Sequence, residues 1–472
     1  MFDYVVVVVG EESEVKKLER TSLRGDVLLE SIFVPVSESA WSGPAGNGLG
    51  TLFAIETASN AIRKKIGKDI VEEVKEGKSV LIVHTAGEGT RNLLTRACKS
   101  KSYIEVPEFS LLEGVIKQCQ EFAIPSRIWV TWGDQFLLFN DSPAEIMKCA
   151  HNTHVMLFGL NTQLTQEVAS KYGIQIARCL DEECCELLEF DDTRNYEAVK
   201  KKQQKHAGCR SRVMVNLGMF TMSGVMTERM LDAFSANLKK REGKLNSDEL
   251  WQSWISHHPV ADQGLREHVD RIKEEVLRTE PLALIKSFPL SEKSVWQDFG
   301  TNTGYYKAMM KILAEDDVGQ RLRDFLGVEV ASVKDGCDVR DSVYKNTEFE
   351  TGRVRKSVVS NSSAKSAQLE QACVINSRLN RIQGKNCVVY NLVDHASVAV
   401  EDCVLVDVLH PRNGRIRLKM RIGAEKGAEA SWWDSRLPGN EYSLREVAEM
   451  MKGVSEDEMQ ATRQRFVRLT GR

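Results

Sequence analysis

The chain has 472 residues and a formal net charge of −3, which is enough length for two or three domains. This near-neutral charge gives no electrostatic reason to expect a nucleic acid or an acidic membrane as partner. No apolar run reaches the roughly 18 residues that a membrane-spanning helix needs, and Tyr4 to Val9 is too short for the core of a signal peptide. The sequence therefore predicts a cytoplasmic protein. Its 11 cysteines follow no metal-binding spacing, so we expect free thiols.

Two strands and a glycine-rich loop open the chain. Tyr4 to Val9 and Ile32 to Val36 are apolar runs that favour buried strands. The loop at 42–51 reads Ser-Gly-Pro-Ala-Gly-Asn-Gly-Leu-Gly-Thr and precedes apolar residues at helical spacing. It lacks the lysine of a P-loop, and no strand comes directly before it as a dinucleotide fingerprint requires. The loop suits either a ligand-binding helix start or a flexible surface turn.

The next strand, Val80 to Val83, ends abruptly in a second glycine loop. This loop contains Gly87, Gly89, Thr90 and Arg91. Glycines let the backbone approach a ligand closely, and backbone N–H groups with an arginine can hold phosphate oxygens. The pattern predicts a phosphate-binding loop, although a strand-to-helix turn without a ligand would have the same pattern.

Two aspartates follow apolar segments further along. Asp134 comes after the apolar run at 128–132, and Asp298 follows Val295 and precedes Gly300. Open α/β sheets bind ligands at the carboxyl ends of their strands, and Mg²⁺ takes one or two carboxylates together with substrate phosphates. The sequence therefore predicts a Mg²⁺–nucleotide site with Asp134 and Asp298 as metal ligands. Each aspartate alone would also suit a helix N-cap.

Together these motifs resemble those of the sugar-1-phosphate nucleotidyltransferases. The matching residues are Gly87, Gly89, Thr90 and Arg91 in the loop, Asp134 at a strand end, and Trp296, Asp298, Gly300 and Thr301 in a Trp-x-Asp-x-Gly-Thr motif. The resemblance covers roughly residues 80 to 310. It implies an α/β catalytic domain of the nucleotide-diphospho-sugar transferase type, Rossmann-like with a mixed sheet, that uses Mg²⁺.

The same resemblance implies roles for two further segments. Asn216 and Gly218 lie in a stretch similar to the family's Asn-x-Gly-aromatic strand, which implies that they contact the sugar. The family places a lysine in a Lys-Pro step after the arginine, whereas this chain offers Lys99 and Lys101 without a proline. Lys101 fits better because a short apolar stretch and Pro107 follow it. Alternatively, both lysines are solvated loop charges.

The order of the glycine segments points to one branch of the family. Leu49-Gly50-Thr51 resembles the segment that lies against the nucleotide base, but here it precedes the phosphate loop. The GDP-fucose pyrophosphorylases have a similar layout, although this chain lacks their Arg-Leu-Pro. The resemblance implies that Gly48, Gly50 and Thr51 bind the nucleotide together with Gly87, Gly89 and Thr90. We expect 46–51 to lie beside the strand at 80–83.

From about residue 330 a repeat replaces this pattern. A tetrad of polar, small, apolar and apolar residues recurs, with Ser357, Cys373, Cys387 and Cys403 at intervals of 16, 14 and 16 residues. Such a period suits the coils of a β-helix, where these small residues would stack in one interior; an ordinary antiparallel sheet is the alternative. We predict a catalytic domain at 1–325, a left-handed β-helix-like domain at 330–420 and a helical tail at 421–472. We expect any homo-oligomer to form through the last two.

Three functions are compatible with the sequence. In the first, an NTP and a sugar 1-phosphate give an NDP-sugar and pyrophosphate, with Arg91 on the leaving pyrophosphate and Lys101 on the α-phosphate. The second is a non-catalytic regulatory or scaffolding paralogue, which the missing proline after Lys101 favours. The third is acyl transfer by the β-helix with His395 or His410 as base. Neither the sugar nor the nucleotide base follows from the sequence.

Overall fold

A computed structural model describes residues 1–20, 25–28, 30–86, 105–106, 109–179, 184–207, 211–255, 263–300 and 316–327, a few single residues between them, and most strands from 330 to 442. The chain divides into two compact units, residues 1–87 with 112–296 and residues 88–111 with 297–472. Within the described part, no helix is both long and apolar enough to cross a bilayer. The domain limits predicted from the sequence stay predictions.

The part of the chain before residue 300 contains strands of two to thirteen residues together with the helices described below. In chain order the strands are β1 (Tyr4–Val9), β2 (Ile32–Ser37), β3 (Ser79–His84), β4 (Glu105–Val106), β5 (Phe109–Ser110), β6 (Arg127–Trp132), β7 (Gln135–Leu138), β8 (Thr153–Asn161), β9 (Ile174–Cys179), β10 (Cys185–Asp191), β11 (Ser211–Ser223), β12 (Ala283–Leu290) and β13 (Val295–Asp298). Of these, β4 and β5 and the end of β13 belong to the second unit.

The helices of this part of the chain occur singly or in short runs between the strands. They span Glu12–Arg20, Gly25–Leu28, Gly46–Ile66, Ile70–Lys75, Leu111–Cys119, Pro143–His151, Gln166–Lys171, Tyr196–Lys205, Gly224–Ala233, Ser235–Lys240, Ser247–Ile255, Gln263–Thr279 and, in the second unit, Asp317–Leu326. Several begin at side-chain caps; Ser142, for example, forms a capping box with Glu145.

Nine strands form the main sheet, in the order β2-β1-β3-β6-β11-β8-β12-β10-β9. The first four are parallel, and β11 runs antiparallel to both of its neighbours in this order. Strand β1 is valine-rich and wholly buried, as expected for a parallel strand covered on both faces. The predicted mixed α/β sheet is confirmed. Because β9 also pairs with β11, the last five strands close into a ring.

A buried arginine ties the amino end of β6 to its neighbours. Arg127 is only 4% exposed. Its guanidinium donates to the carbonyl oxygens of Ala150 and Thr153 at 2.7 Å each, and to the His154 carbonyl and the Thr221 hydroxyl at 3.0 Å. Burial lowers the pKa of Arg127 to about 9, a cost offset by hydrogen bonds to polar groups that would otherwise be unsatisfied.

Two disulfides overturn the expectation of free thiols. Cys149 is bonded to Cys184 and Cys179 to Cys185. The second pair faces each other across β9 and β10 with a Cα–Cα distance of 4.2 Å, which sequence spacing cannot show. Cys119 is a buried free thiol, and burial raises its pKa to about 12.

The second unit is rich in short parallel strands. They are β14 (Val330–Ala331), β15 (Asp338–Arg340), β16 (Val343–Lys345), β17 (Glu348–Arg355), β18 (Val358–Ser360), β19 (Ser363–Glu370), β20 (Cys373–Ile375), β21 (Arg378–Leu379), β22 (Arg381–Lys385), β23 (Val388–Leu392), β24 (Ser397–Glu401), β25 (Val404–Val408), β26 (Arg417–Met420), β27 (Ala430–Trp433) and β28 (Glu441–Tyr442). Two parallel sheets have the orders β14-β16-β18-β20-β23-β25 and β15-β17-β19-β22-β24.

The register of these sheets corrects the predicted alignment of the cysteines. Val343 pairs with Val358, Val358 with Cys373, and Cys373 with Val388, a step of 15 residues each time. Alignment of Cys373 with Cys387 is therefore wrong by one residue, because counting tetrads cannot fix a register that backbone pairing sets. Cys387 and Cys403 lie outside the described residues. The left-handed β-helix stays a prediction.

The predicted helical tail is only partly covered by the structure. Strands β27 and β28 fall within 421–472 and form a small antiparallel sheet with β26. The two segments predicted to be helical, at 443–451 and 456–469, lie outside the described residues. The helical tail therefore stays a prediction.

Candidate functional site

Several predicted site residues lie outside the described part of the chain. They are Gly87, Gly89, Thr90 and Arg91 of the phosphate loop, and both candidate lysines, Lys99 and Lys101. Their phosphate-binding roles stay predictions. Strand β3, which precedes this loop in the sequence, is described to its last residue, His84, at the carboxyl edge of the sheet.

The first glycine segment lies against the carboxyl end of β3. Thr51 is in the second turn of the helix Gly46–Ile66, and its Oγ1 is 2.7 Å from the Asn47 carbonyl oxygen and 2.8 Å from His84 Nε2. A carbonyl oxygen only accepts, so the Thr51 hydroxyl donates to Asn47 and His84 carries its proton on Nε2. Segment 46–51 and β3 are therefore neighbours, as expected; binding of a nucleotide by Gly48, Gly50 and Thr51 stays a prediction.

The glycines of this segment are required by close backbone packing. Gly46 has a φ of +72°, and a Cβ there would lie 2.5 Å from the Leu245 carbonyl oxygen; a Cβ on Gly48 would lie 2.9 Å from it. The same oxygen accepts from the N–H groups of Gly48 and Leu49, at 2.9 and 3.2 Å. These helix N–H groups are therefore engaged within the protein, in contrast to an open phosphate-binding helix start.

A carboxylate that the sequence did not point to faces the third glycine. Glu38 directly follows β2, and a Cβ on Gly50 would lie 2.5 Å from its Oε1. Burial raises the pKa of Glu38. This side chain adds an acidic group to the edge formed by the carboxyl ends of the parallel strands.

The turn after β6 brings Asp134 to the same edge. Gly133 donates its N–H to the His84 carbonyl at 2.9 Å, and a Cβ on Gly133 would lie 2.5 Å from Thr85 Cγ2. The ring of Trp132 is 5.3 Å from that of His84. Asp134 leads into β7 rather than into a helix, so it is not a helix N-cap. Its place at a strand end agrees with the prediction, while metal binding stays untested.

Strand β11 bends where it reaches this edge. Its pairing with β8 shifts register between Asn216 and Phe220. Gly218, within the bulge, has a φ of +75°, and a Cβ there would overlap the indole nitrogen of Trp132. Both features explain why glycine is needed at 218. Sugar binding by Asn216 and Gly218 stays a prediction.

Gln135, which the sequence analysis did not single out, connects two of the predicted motifs. Its Nε2 donates to the Leu217 carbonyl at 3.3 Å, and its Oε1 accepts from Trp296 Nε1 at 3.0 Å. Gln135 is 5% exposed. The buried Gln135 amide is therefore hydrogen-bonded both to the bulge of β11 and to the tryptophan of the Trp-x-Asp-x-Gly-Thr motif.

Asp298 belongs to the second unit and Asp134 to the first. Asp298 Oδ1 accepts from the Gly300 N–H at 2.7 Å, a local turn that fixes the carboxylate. Among the described residues, no three acidic, histidine or cysteine side chains form a metal-binding group. Joint binding of Mg²⁺ by Asp134 and Asp298 stays a prediction.

A polar cavity of about 430 Å³ lies beside the first glycine segment. Its lining residues are Asn47, Asp192, Thr193, Asn246, Asp248, Glu249 and Gln252. Burial, and secondly the charge of Asp192, raise the pKa of Asp248 to about 7. Asn47 exchanges hydrogen bonds with Ser247 at 3.0 and 2.8 Å, which joins the helix start to this cavity wall.

Sequence reasoning missed His84, Glu38, Gln135 and the cavity. A usable signal existed for His84 and Glu38, since each directly ends or follows an apolar parallel strand, as Asp134 does. No such signal exists for the cavity, because its residues come from segments 47, 192–193 and 246–252 that only the fold brings together.

Comparisons with known proteins give little beyond this geometry. No family model matches the sequence, and no curated protein matches it. Among solved structures, a mannose-1-phosphate geranyltransferase from Thermus thermophilus has 13% identity and a TM-score of 0.28, covering 96% of this chain and 99% of that one. A UDP-glucose pyrophosphorylase complexed with UDP-glucose has 14% identity and a TM-score of 0.27, covering 65% and 96%. Similarity this weak carries no argument about fold or function.

Proposed function

We propose that the chain is a sugar-1-phosphate nucleotidyltransferase, which makes an NDP-sugar and pyrophosphate from an NTP and a sugar 1-phosphate. One observation carries the proposal: His84, the last residue of β3, contacts both of the other segments. Its Nε2 is 2.8 Å from Thr51 Oγ1, and its carbonyl oxygen is 2.9 Å from the Gly133 nitrogen in the turn to Asp134. Three motifs separated in sequence thus share the carboxyl edge of a parallel sheet, where α/β proteins bind ligands.

The reaction needs charge neutralisation and alignment, and no base. An oxygen of the sugar phosphate, already ionised at neutral pH, attacks the α-phosphorus; a new P–O bond forms, the bond to the bridging oxygen breaks, and pyrophosphate leaves with that electron pair. We assign Arg91 to the leaving pyrophosphate and Lys101 to the α-phosphate. Gly87, Gly89 and Thr90 would supply N–H and hydroxyl contacts to the phosphates.

Asp134 and Asp298 would hold Mg²⁺. Asp134 fits this role because its carboxylate is half-buried at the sheet edge, and hard cations prefer carboxylate oxygens. A site with only one or two protein carboxylates is usual for this ion, since substrate phosphates provide further ligands. When bound, Mg²⁺ supplies charge neutralisation for the phosphates.

We assign the segment with Gly48, Gly50 and Thr51 to the nucleotide base rather than to a phosphate. The N–H groups of Gly48 and Leu49 are taken by Leu245, so they are not available to phosphate oxygens. Asn216 and Gly218 would contact the sugar. The order of the glycine segments supports a branch with the layout of the GDP-fucose pyrophosphorylases.

The second unit would serve assembly or stability. Its 15-residue register steps support a left-handed β-helix at 330–420, stacked coil on coil. We propose that a homo-oligomer forms through this region or the tail, and that the protein is cytoplasmic.

Pyrophosphate release tests the proposed function. Purified full-length protein is incubated with Mg²⁺, each of the four NTPs and a panel of sugar 1-phosphates. We expect release that needs both substrates, with one favoured NTP. The matched control is Asp232→Asn, an exposed carboxylate on the helix Gly224–Ala233, which should behave as wild type. No release with any pair would contradict the proposal and favour a non-catalytic paralogue; turnover of acetyl-CoA instead would favour the acyltransferase.

A further inference from the structure

A buried glutamine crosses the interior of the five-strand ring and contacts Asn216. Gln175 lies on β9 and is 0% exposed. Its Nε2 donates to the Phe158 carbonyl oxygen on β8 at 3.2 Å and to Asn216 Oδ1 on β11 at 2.8 Å. Its Oε1 accepts from the hydroxyl of Ser287 on β12. One side chain thus connects four strands of the ring.

The partners of Gln175 determine which way its amide lies. The Phe158 carbonyl can only accept, so the NH₂ group of Gln175 must be on that side. The Ser287 hydroxyl then donates to the remaining oxygen. Both amide hydrogens and the oxygen are used, which removes the ambiguity that usually surrounds an amide orientation and offsets the cost of burying a polar group.

This arrangement in turn determines the orientation of Asn216. Only an acceptor can face the NH₂ group of Gln175, so Asn216 presents Oδ1 to it and directs Nδ2 away. Asn216 is half-buried, whereas Gln175, Phe158 and Ser287 are fully enclosed. The two N–H donors of Asn216 are therefore held on the more open side of the ring.

We propose that Gln175 is a positioning residue, which holds the Asn216 amide with its two donors toward a ligand that carries hydroxyl oxygens. The identity of that ligand as the sugar of a sugar 1-phosphate rests on the proposed function. The orientation itself does not, because it follows from the hydrogen bonds of Gln175. Ser287 contributes by holding the oxygen of Gln175, and Gln175 need not touch the substrate.

Steady-state kinetics with two variants of Gln175 test the role in binding. Gln175→Leu removes both donors at similar volume, and Gln175→Glu replaces the NH₂ by an acceptor and favours a reversed Asn216. For each, we expect the KM for the sugar 1-phosphate to rise roughly tenfold, the effect of one lost hydrogen bond, with less than a twofold change in the KM for the NTP. A fall in kcat with an unchanged sugar KM would overturn the proposal.

A double-mutant cycle separates positioning from general support of the fold. Asn216→Ala should itself raise the sugar KM about tenfold. Adding Gln175→Leu to Asn216→Ala should then change the sugar KM by less than twofold, because the group that Gln175 positions is gone. Two full, independent effects would overturn the proposal, since they would mean that Gln175 acts without Asn216.

A readout that needs no activity keeps the inference distinct from the proposed function. Side-chain NH₂ signals in a ¹H–¹⁵N spectrum of the full chain are assigned by the loss of one pair in Asn216→Asp. In Gln175→Leu the Asn216 pair should shift and exchange faster with solvent, with the backbone spectrum otherwise retained. An unchanged Asn216 pair would overturn the orientation, whether or not wild type releases pyrophosphate; a shifted pair without enzyme activity would support it and contradict only the proposed function.

Discussion

The two ends of strand β6 use polar groups in opposite ways. At the amino end, Arg127 is enclosed and directs its donors to carbonyl and hydroxyl oxygens of neighbouring elements. At the carboxyl end, Trp132 and Asp134 are half-buried, and the turn between them rests on the backbone of His84. We call the amino end the saturated end, because its buried polar groups are hydrogen-bonded to one another, as is usual in a protein interior. We call the carboxyl end the open end, because its carboxylate lies at the edge where α/β sheets bind ligands.

This difference between the two ends predicts which substitutions should affect stability and which should affect activity. A change at the saturated end leaves buried carbonyls unsatisfied, which destabilises the fold. At the open end, a change should remove an interaction with the proposed ligand and leave the packing nearly intact.

The largest effect is expected from Asp134→Asn. If Asp134 neutralises charge on the reacting phosphates, turnover should fall by roughly 100- to 1,000-fold, while the thermal unfolding midpoint stays near that of wild type. Pyrophosphate release and a thermal melt on the same preparation check both halves. Activity within threefold of wild type would remove Asp134 from the site.

Arg127→Met should destabilise the fold at the saturated end of β6. The variant keeps an apolar stem but leaves the carbonyls of Ala150, Thr153 and His154 without their donor, at a cost of about 4 kcal/mol in the free energy of unfolding. Urea unfolding measures it, and Arg127→Lys, which keeps a charge but not the planar fork, should lose less. The folded fraction should retain wild-type kcat. A lower kcat in a fully folded variant would contradict the prediction that this end of β6 affects stability and not activity.

Sequence reasoning could predict the open end better than the saturated one. His84 ends an apolar strand and Asp134 closely follows one. Because the ends of parallel strands meet at one edge of a sheet, pattern and topology suffice to place both. Arg127 also begins an apolar strand, but its acceptors are backbone carbonyls at 150, 153 and 154, and no residue type marks a carbonyl as an acceptor. Gln175 is a polar residue between two isoleucines, a visible anomaly whose partners depend on the closure of the ring by β9 and β11. The predicted alignment of Cys373 with Cys387 was wrong for a similar reason, because backbone pairing between strands sets the register and the sequence does not show it.

The disulfide between Cys149 and Cys184 lies next to the saturated end, because Cys149 precedes Ala150, whose carbonyl oxygen accepts from Arg127. It therefore offers a second test of whether this region affects stability and not activity. Replacing Cys149 by Ala should lower the free energy of unfolding by about 3 kcal/mol through loss of a cross-link between residues 35 apart, with kcat retained. Urea unfolding measures it, and reductant should destabilise wild type but change the variant less. If all 11 cysteines react with a thiol reagent in the unfolded, unreduced chain, no disulfide is present.

The smallest expected effect concerns the pH dependence of stability at the cavity beside the open end. Burial raises the pKa of Asp248 from 3.8 to about 7, so between about pH 4 and pH 7 the folded state binds more protons at this group than the unfolded state does. Its contribution to stability is therefore full below about pH 4, falls as the pH rises to about 7, and is lost above that.

Asp248→Asn removes this titration and should stabilise the protein at pH 8 relative to wild type, with a much smaller difference at pH 4.5. The full pKa shift corresponds to about 4 kcal/mol, but Asp248 is only half-buried, so solvent screening reduces the expected gain to roughly 1 kcal/mol. The slope of stability against pH should flatten between these values, whereas Asp232→Asn, on an exposed helix surface, should leave it unchanged. Urea unfolding at a series of pH values provides the measurement. A wild-type slope in Asp248→Asn would mean that Asp248 is as easily ionised in the folded state as in the unfolded chain, and that burial does not raise its pKa beside the proposed ligand site.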